Sequence, residues 1–176
     1  MLGIDTERAF KAVNIAVVTI SDTRTLAEDK SGDTLEKRIM NAGHNMRGRF
    51  IVKDDVIKIK KKLNVLILNK DIDVVITTGG TGLTGRDITP EAVDEIADKK
   101  IPGFGEVFRT MSLETVGTSA IQSRACAVLA NGKYVFALPG SSGGVTDAWD
   151  GILKYQLDIN HKPCNFVELF PRLKEK

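Results

Sequence analysis

Two cysteines, two histidines, five prolines and one tryptophan are all that this 176-residue chain holds of the residues that staple, ligate or break structure. Cys126 and Cys164 stand far apart without the paired spacing of a zinc site, and His44 and His161 add no ligand cluster. Zinc and a disulfide framework are excluded, and both cysteines are expected to be packing residues in a reducing cytosol. No apolar run approaches the roughly 20 residues of a membrane span. Residues 1–11 are charged and lack an apolar core of signal-peptide length. A soluble, cytoplasmic protein with no membrane partner is expected. Neither sign of charge dominates: 25 Lys and Arg against 23 Asp and Glu give a net charge of +2, which makes no case for nucleic acid. Lys58, Lys60, Lys61 and Lys62 read as the solvated face of a helix rather than a polyanion site.

With 42% hydrophobic and 27% charged residues, the chain can bury a core in one globular domain over residues 1–176. Strand-like and helix-like patterns alternate, the signature of an α/β layer fold with a largely parallel sheet, here of about five strands. Residues 13–20 form the first strand. In the next helix, Asp33 and Glu36 have capping-box spacing, Leu35 and Ile39 face the core, and Gly43 fits the stop. Residues 45–52 make a more polar strand, nearer an edge. Asp54-Asp55 opens a helix with Val56, Ile59, Leu63 and Leu66 on one apolar face. Asn131-Gly132 is a hairpin signal, so residues 134–138 pair antiparallel with the strand before them. Pro139 to Gly144 opens a final helix with Val145, Ala148, Trp149 and Ile152 on one stripe, and Trp149 reads as core.

The richest chemistry lies between residues 73 and 91. Val74-Val75-Ile76 is β-branched and unalternated, as a central strand covered on both faces would be. It runs into Gly79-Gly80-Thr81-Gly82, where backbone freed of Cβ atoms can turn its N–H groups toward anionic oxygens. Thr89 fits an N-cap, Pro90 a first helical position and Glu91 the positive end of the helix dipole, which leaves Asp87 at the loop mouth. Generic motifs do not fit. Gly80, Gly82 and Gly85 formally match a dinucleotide fingerprint, but the helix begins after them, and Arg86-Asp87 stands where a P-loop needs Lys and then Ser or Thr. Ser141 to Gly144 is either a second anion-binding turn or an ordinary flexible one.

The run Thr77-Thr78-Gly79-Gly80-Thr81-Gly82, followed by Arg86-Asp87-Ile88-Thr89-Pro90-Glu91, resembles the MoaB/MogA family of molybdenum cofactor biosynthesis proteins. The resemblance extends through Ser21-Asp22, Asp29-x-Ser31-Gly32, Asp54, Pro102-Gly103-Phe104-Gly105-Glu106, Ser123-Arg124 and Leu138-Pro139-Gly140. It implies a three-layer α/β/α fold with one antiparallel strand. The reaction it implies is adenylylation of molybdopterin, with ATP as co-substrate, Mg²⁺ as cofactor and pyrophosphate released. Asp54 and Asp87 match the family's two essential aspartates and take Mg²⁺ binding and ATP positioning. On residues alone, Asp54 reads rather as a helix N-cap and Asp87 as an Asx turn before Thr89; the resemblance tips both to the functional role, and Asp55 leaves the register open.

By the same resemblance, Gly79, Gly80, Thr81 and Gly82 cradle phosphates. Ser21, Asp22, Ser31, Gly32, Ser123 and Arg124 surround pterin or nucleotide, joined by Pro139, Gly140 and Ser141 in the second loop. Arg86 reads either as a phosphate contact or as a structural ion pair. Ser141-Ser142 replaces the Asn-Pro or Gln-Pro usual in the family. Two further readings stand beside the adenylyltransferase: a MoaB-type pterin or nucleotide binder acting through assembly, and a CinA-like pyrophosphate hydrolase, which the Arg86 to Glu91 motif disfavours. The resemblance implies a homotrimer, or a hexamer of two trimers, and other cofactor-biosynthesis proteins as partners. Phe104, Val107, Phe108, Met111 and Leu113 on one helix are either a subunit contact or core.

Overall fold

The computed structural model describes residues 3–175. After a short strand β1 (Gly3–Ile4), the chain alternates through β2 (Asn14–Ile20), α1 (Lys30–Asn41), β3 (Asn45–Val52), α2 (Val56–Leu68), β4 (Val74–Thr78) and α3 (Thr89–Asp94). It continues through β5 (Lys99–Lys100), α4 (Pro102–Val116), β6 (Cys126–Ala130) and β7 (Lys133–Leu138). The last elements are α5 (Ser142–Ala148), α6 (Lys154–Gln156), β8 (His161–Lys162) and α7 (Phe166–Leu169). One π-helical turn, Trp149–Leu153, joins α5 to α6.

The central sheet has six strands in the order β3-β2-β4-β7-β6-β5. Strands β3, β2, β4 and β7 are mutually parallel, and β6 runs against β7. This is the expected α/β/α arrangement with one strand more than the pattern gave. Strand β5 has two exposed lysines, too short and polar for hydrophobic periodicity to mark, and pairs with the outer edge of β6. Strands β1 and β8 form a separate antiparallel pair, also unmarked in the pattern. Asn131 and Gly132 adopt φ of 50° and 70°, the paired positive values of a type I′ turn, and the β6–β7 hairpin follows from it. The more polar β3 is an edge strand, as expected.

Period-two alternation splits the sheet into two apolar faces. Ile15, Val17, Val74, Ile76 and Phe136 pack with Leu35, Ile39, Phe104, Phe108, Val145 and Trp149 of α1, α4 and the α5 region. Ala16, Val18, Val75, Val135 and Ala137 pack with Ile59, Leu63, Ala92 and Val93 of α2 and α3. Helix α4 begins at Pro102 itself, so the Pro-Gly pair forms its first turn. Its apolar residues divide: Phe104 and Phe108 are core, while Val107 and Leu113 are each 50% exposed.

Local capping differs from the sequence reading at α1. The helix starts a turn before the Asp33/Glu36 box, because Asp29 accepts the Gly32 N–H at 3.0 Å and is itself buried against Thr19 and Arg49. Asp33 and Glu36 bind Arg49 of β3 at 2.6 and 2.8 Å instead. Cys164 is exposed, against its expected packing role, whereas Cys126 is partly buried and desolvation pushes its thiol to about 11. No helix among the described residues is long and apolar enough to cross a membrane.

Gly132→Val should lower stability by more than about 1 kcal/mol, because a β-branched residue resists φ of 70°. Urea unfolding of the two proteins measures it, and an unchanged midpoint would refute the turn's role in fixing the β6–β7 pairing.

Candidate functional site

At the carboxyl ends of β2, β4 and β7, the loops after each strand enclose a cleft of about 610 Å³. Its floor is backbone. Gly79 and Gly80 hold φ of 103° and 66°, conformations that fit glycine. The Gly79 N–H donates to the Leu138 carbonyl at 3.0 Å, which ties the first loop to the end of β7. A Cβ on Gly79 would overlap the Ile20 carbonyl oxygen, and one on Gly140 would sit 3.1 Å from the Gly79 Cα. Three strand ends therefore approach more closely than side chains would allow. Thr89 is not the N-cap of α3: that position is Ile88, and Thr89 instead donates its hydroxyl to the Gly79 carbonyl at 2.8 Å and its N–H to that of Gly80 at 3.0 Å. The helix start pins the loop from below.

The two adjacent aspartates divide their labour. Asp55 accepts the Lys58 N–H at 2.9 Å and caps α2. Asp54 has no capping duty and lines the cleft, its Oδ1 3.4 Å from where a Gly80 Cβ would lie. Burial and the negative charge of Asp22 push the Asp54 carboxyl above its ordinary value, and Asp87 adds to the effect. Asp87 lines the cleft while its Oδ2 accepts the Thr84 hydroxyl at 2.7 Å and N–H at 2.9 Å, bonds that hold its pKa low. The turn-forming reading of Asp87 thus coexists with a place in the cleft.

Ser21, Gly79, Gly80, Thr81, Gly82, Ser123, Pro139, Gly140 and Ser141 all line the cleft with these carboxylates. The Ser21 and Ser141 oxygens accept main-chain N–H groups of Thr23, Arg24 and Gly144, so each hydroxyl hydrogen remains available to a ligand. Four expected site residues lie off the lining. Asp22 accepts the Asp54 N–H at 3.2 Å and ion-pairs with Arg86, which lowers its pKa. Arg86 is thus both a structural ion pair and a lining residue. Arg124 fastens the glycine loop from behind: its Nε donates to the Gly82 carbonyl at 2.7 Å, and its other nitrogens to Glu91 and the Asp87 carbonyl. Ser31 donates to Asp29 at 3.1 Å, and Gly32 leaves no room for a Cβ beside that carboxylate.

The sequence reading missed Thr23, Arg24, Thr84, Ser119 and Gln122. A signal existed for Arg24, a cation in the loop after the first parallel strand, where ligands of open α/β sheets gather. Ser119 and Gln122 come from the 3-10 segment Gly117–Gln122, which carries no motif.

Among the described residues, no three His, Cys, Asp or Glu side chains gather into a metal-ligand cluster. Mg²⁺ does not require one, since it is commonly held by one or two carboxylates together with substrate phosphates. Asp54, whose charge is disfavoured by burial and by Asp22, fits such a role, and Asp87 lines the same cleft.

Fold and site together define an α/β protein whose sheet presents backbone, hydroxyls and carboxylates to a ligand at its carboxyl edge. Residues 16–158 match the family model described as "Probable molybdopterin binding domain". The chain is 42% identical over 175 residues to molybdenum cofactor biosynthesis protein B of Escherichia coli K12, covering 99% of this chain and 100% of that one. A crystal structure of molybdenum cofactor biosynthesis protein B shares 41% identity with a TM-score of 0.86, covering 96% of this chain and 100% of the other. The tungsten cofactor synthesizing protein MoaB from Pyrococcus furiosus shares 38% identity and a TM-score of 0.73, covering 82% and 92%. The chain belongs to the MoaB/MogA family of molybdenum cofactor biosynthesis proteins.

Asp54→Asn and Asp55→Ala should move stability in opposite directions. The raised pKa of Asp54 means that its ionised form costs stability at neutral pH, so the neutral amide raises the melting temperature there. That gain fades as the pH falls through the raised folded value toward 3.8, the ordinary value, and is gone below it, where aspartate is protonated both folded and unfolded. Asp55→Ala removes a cap and costs about 1 kcal/mol. Thermal unfolding across pH checks both, and a lower neutral-pH melting temperature for Asp54→Asn would contradict the assignment.

Proposed function

We propose that this chain, acting within molybdenum cofactor biosynthesis as one functional unit over residues 1–176, transfers AMP from ATP to the terminal phosphate of molybdopterin. The observation that carries this reading is Asp54: freed from capping by Asp55, it stands partly desolvated beside a glycine floor that can accept phosphate. An oxygen of the pterin's terminal phosphate bonds to the α-phosphorus of ATP. The bond from that phosphorus to the bridging oxygen of the β-phosphate breaks, and its electron pair leaves with pyrophosphate. The attacking oxygen is already ionised, so no strong general base is needed.

Catalysis is then a matter of placement and charge. Main-chain donors from Gly80 to Gly82 and the hydroxyls of Ser21 and Ser141 hold the anionic groups, and Asp54 and Asp87 would hold Mg²⁺. Bound there, Mg²⁺ would supply charge neutralisation for the leaving pyrophosphate. The second reading is a MoaB-type protein that binds pterin or nucleotide without its own transfer step. The 42% identity to a relative named protein B favours that branch. Purified protein incubated with molybdopterin, ATP and Mg²⁺ separates the two by mass spectrometry. Adenylylated pterin forms under the first reading, and Asp87→Asn lowers its rate at least a hundredfold with little change in melting temperature. Tight ATP binding with no product would support the second reading.

Self-association belongs to the same proposal, as a trimer or a hexamer of two trimers. Val107, Leu113, Val116 and Ile121 are each at least half exposed along α4 and the 3-10 segment after it. Exposed apolar side chains on α4 and the segment after it fit subunit contacts, with Val107 on one flank of the helix and Leu113 and Val116 on the other. Phe108, buried in this chain's own core, does not belong to it. Sedimentation should give a trimer or hexamer, and the double variant Val107→Glu with Leu113→Glu should dissociate it without unfolding. A wild-type monomer would end the assembly claim.

A further inference from the structure

The cleft has two cations in its lining, Arg86 and Arg24, and they differ in one respect. Arg86 is paired with Asp22. Arg24 has no carboxylate partner among the described residues. Its guanidinium is nevertheless held in place. Nη1 donates to the Ser31 hydroxyl at 3.1 Å, and Nη1 and Nη2 both donate to the Gly140 carbonyl at 3.2 Å. Ser31 is itself fixed by donating to Asp29, and both are 1% exposed. Asp29 is further bound by Thr19 at 2.7 Å and Arg49 at 3.0 Å, so the support behind Arg24 is buried and rigid.

A guanidinium has five N–H donors. Three of Arg24's are used by Ser31 and Gly140, and no bond within the described protein takes the Nε–H or the second Nη2 hydrogen. These two point the same way along one edge, the fork that matches two oxygens of a phosphate. The unpartnered Nε is not sealed from solvent, because the one buried side-chain nitrogen or oxygen without a partner among the described residues is the Nε of Arg49, and Arg24 as a whole is half-buried. We propose that Arg24 is the phosphate-gripping residue of the cleft, taking a phosphate group of the ligand through its Nε/Nη2 edge while Ser31 acts as its positioning residue. The lining then carries both signs: Asp54 and Asp87 are carboxylates, and Arg24 beside the Gly140 turn is a cation without a carboxylate partner among the described residues. A polyphosphate chain is the ligand chemistry that satisfies both, with a cation on the carboxylates and a phosphate on the guanidinium. The inference rests on the adenylyl-transfer reading for its ligand class, and its test does not require transfer to occur.

The probe is inorganic tripolyphosphate in Mg²⁺ buffer, titrated by calorimetry into wild type, Arg24→Met, Arg24→Lys and Ser31→Ala, with melting temperatures measured alongside. Wild type should bind. Arg24→Met should weaken binding about tenfold to a hundredfold, the loss of a charge-assisted pair of bonds. Arg24→Lys should fall between, because it keeps the charge and loses the fork, and Ser31→Ala should weaken binding severalfold with the charge intact. If Arg24→Met fails to fold, Arg24→Lys and Ser31→Ala decide. Unchanged affinity in the folded variants, with or without a lower melting temperature, would make Arg24 a structural tie between two loops and overturn the proposal. Failure of the wild type to bind tripolyphosphate would overturn it as well. Adenylylated pterin formed by an Arg24→Lys protein with wild-type tripolyphosphate affinity would remove the inference and leave the transfer reading standing.

Discussion

The close approach of three backbones at Gly79 is the constraint on which the rest of the cleft depends. The end of β2 lies against Gly79 at the Ile20 carbonyl, the end of β7 is bonded to its N–H through Leu138, and the Gly140 turn packs on its Cα. Parallel strands deliver all three chain ends to the same edge. Side chains there would have filled the space between them. Glycine at positive φ removes that bulk and turns the chain sharply enough for the next residues to form a rim. Thr89 then fastens the floor to the start of α3, so a six-residue helix works as a clasp more than as a structural rod.

Charge in the cleft is sorted by which groups are already satisfied. Asp55 completes a helix terminus, Asp22 pairs with Arg86, and Arg124 closes the loop behind Glu91 and two carbonyls. What remains incompletely satisfied is Asp54, raised in pKa, and the free edge of Arg24. The protein tolerates a destabilised carboxylate in the cleft lining and leaves one edge of a guanidinium there without a partner. Bonding capacity left open in this way is what a ligand can fill.

The sheet was legible because its strands are apolar on both faces, its edge strand β3 is more polar, and Asn131-Gly132 can form the turn that reverses β6. Strand β5 was not, since two lysines carry no period. Capping misled in two places. Asp33 and Glu36 have the spacing of a box yet serve Arg49, and Thr89 looks like a cap yet bonds back to Gly79. In both cases a tertiary partner outcompeted the local one. The glycine loop and the two aspartates were readable from motif and resemblance. The different duties of Asp54 and Asp55, and the placement of Ser31 and Arg124 behind the lining, depend on which way each side chain turns. Arg24 was missed for the same reason, since its meaning comes from Gly140, 116 positions away.

The central claim is that this glycine-floored cleft is where ATP and its metal sit. A crystal structure with Mg²⁺ and an ATP analogue whose α,β-bridging oxygen is replaced by methylene tests it most directly. The account predicts phosphates over residues 79–82, Mg²⁺ in contact with Asp54 or Asp87, and a phosphate oxygen on the Arg24 edge. Nucleotide bound instead in the apolar groove between Phe104 and Tyr155, with the glycine loop empty, would contradict it.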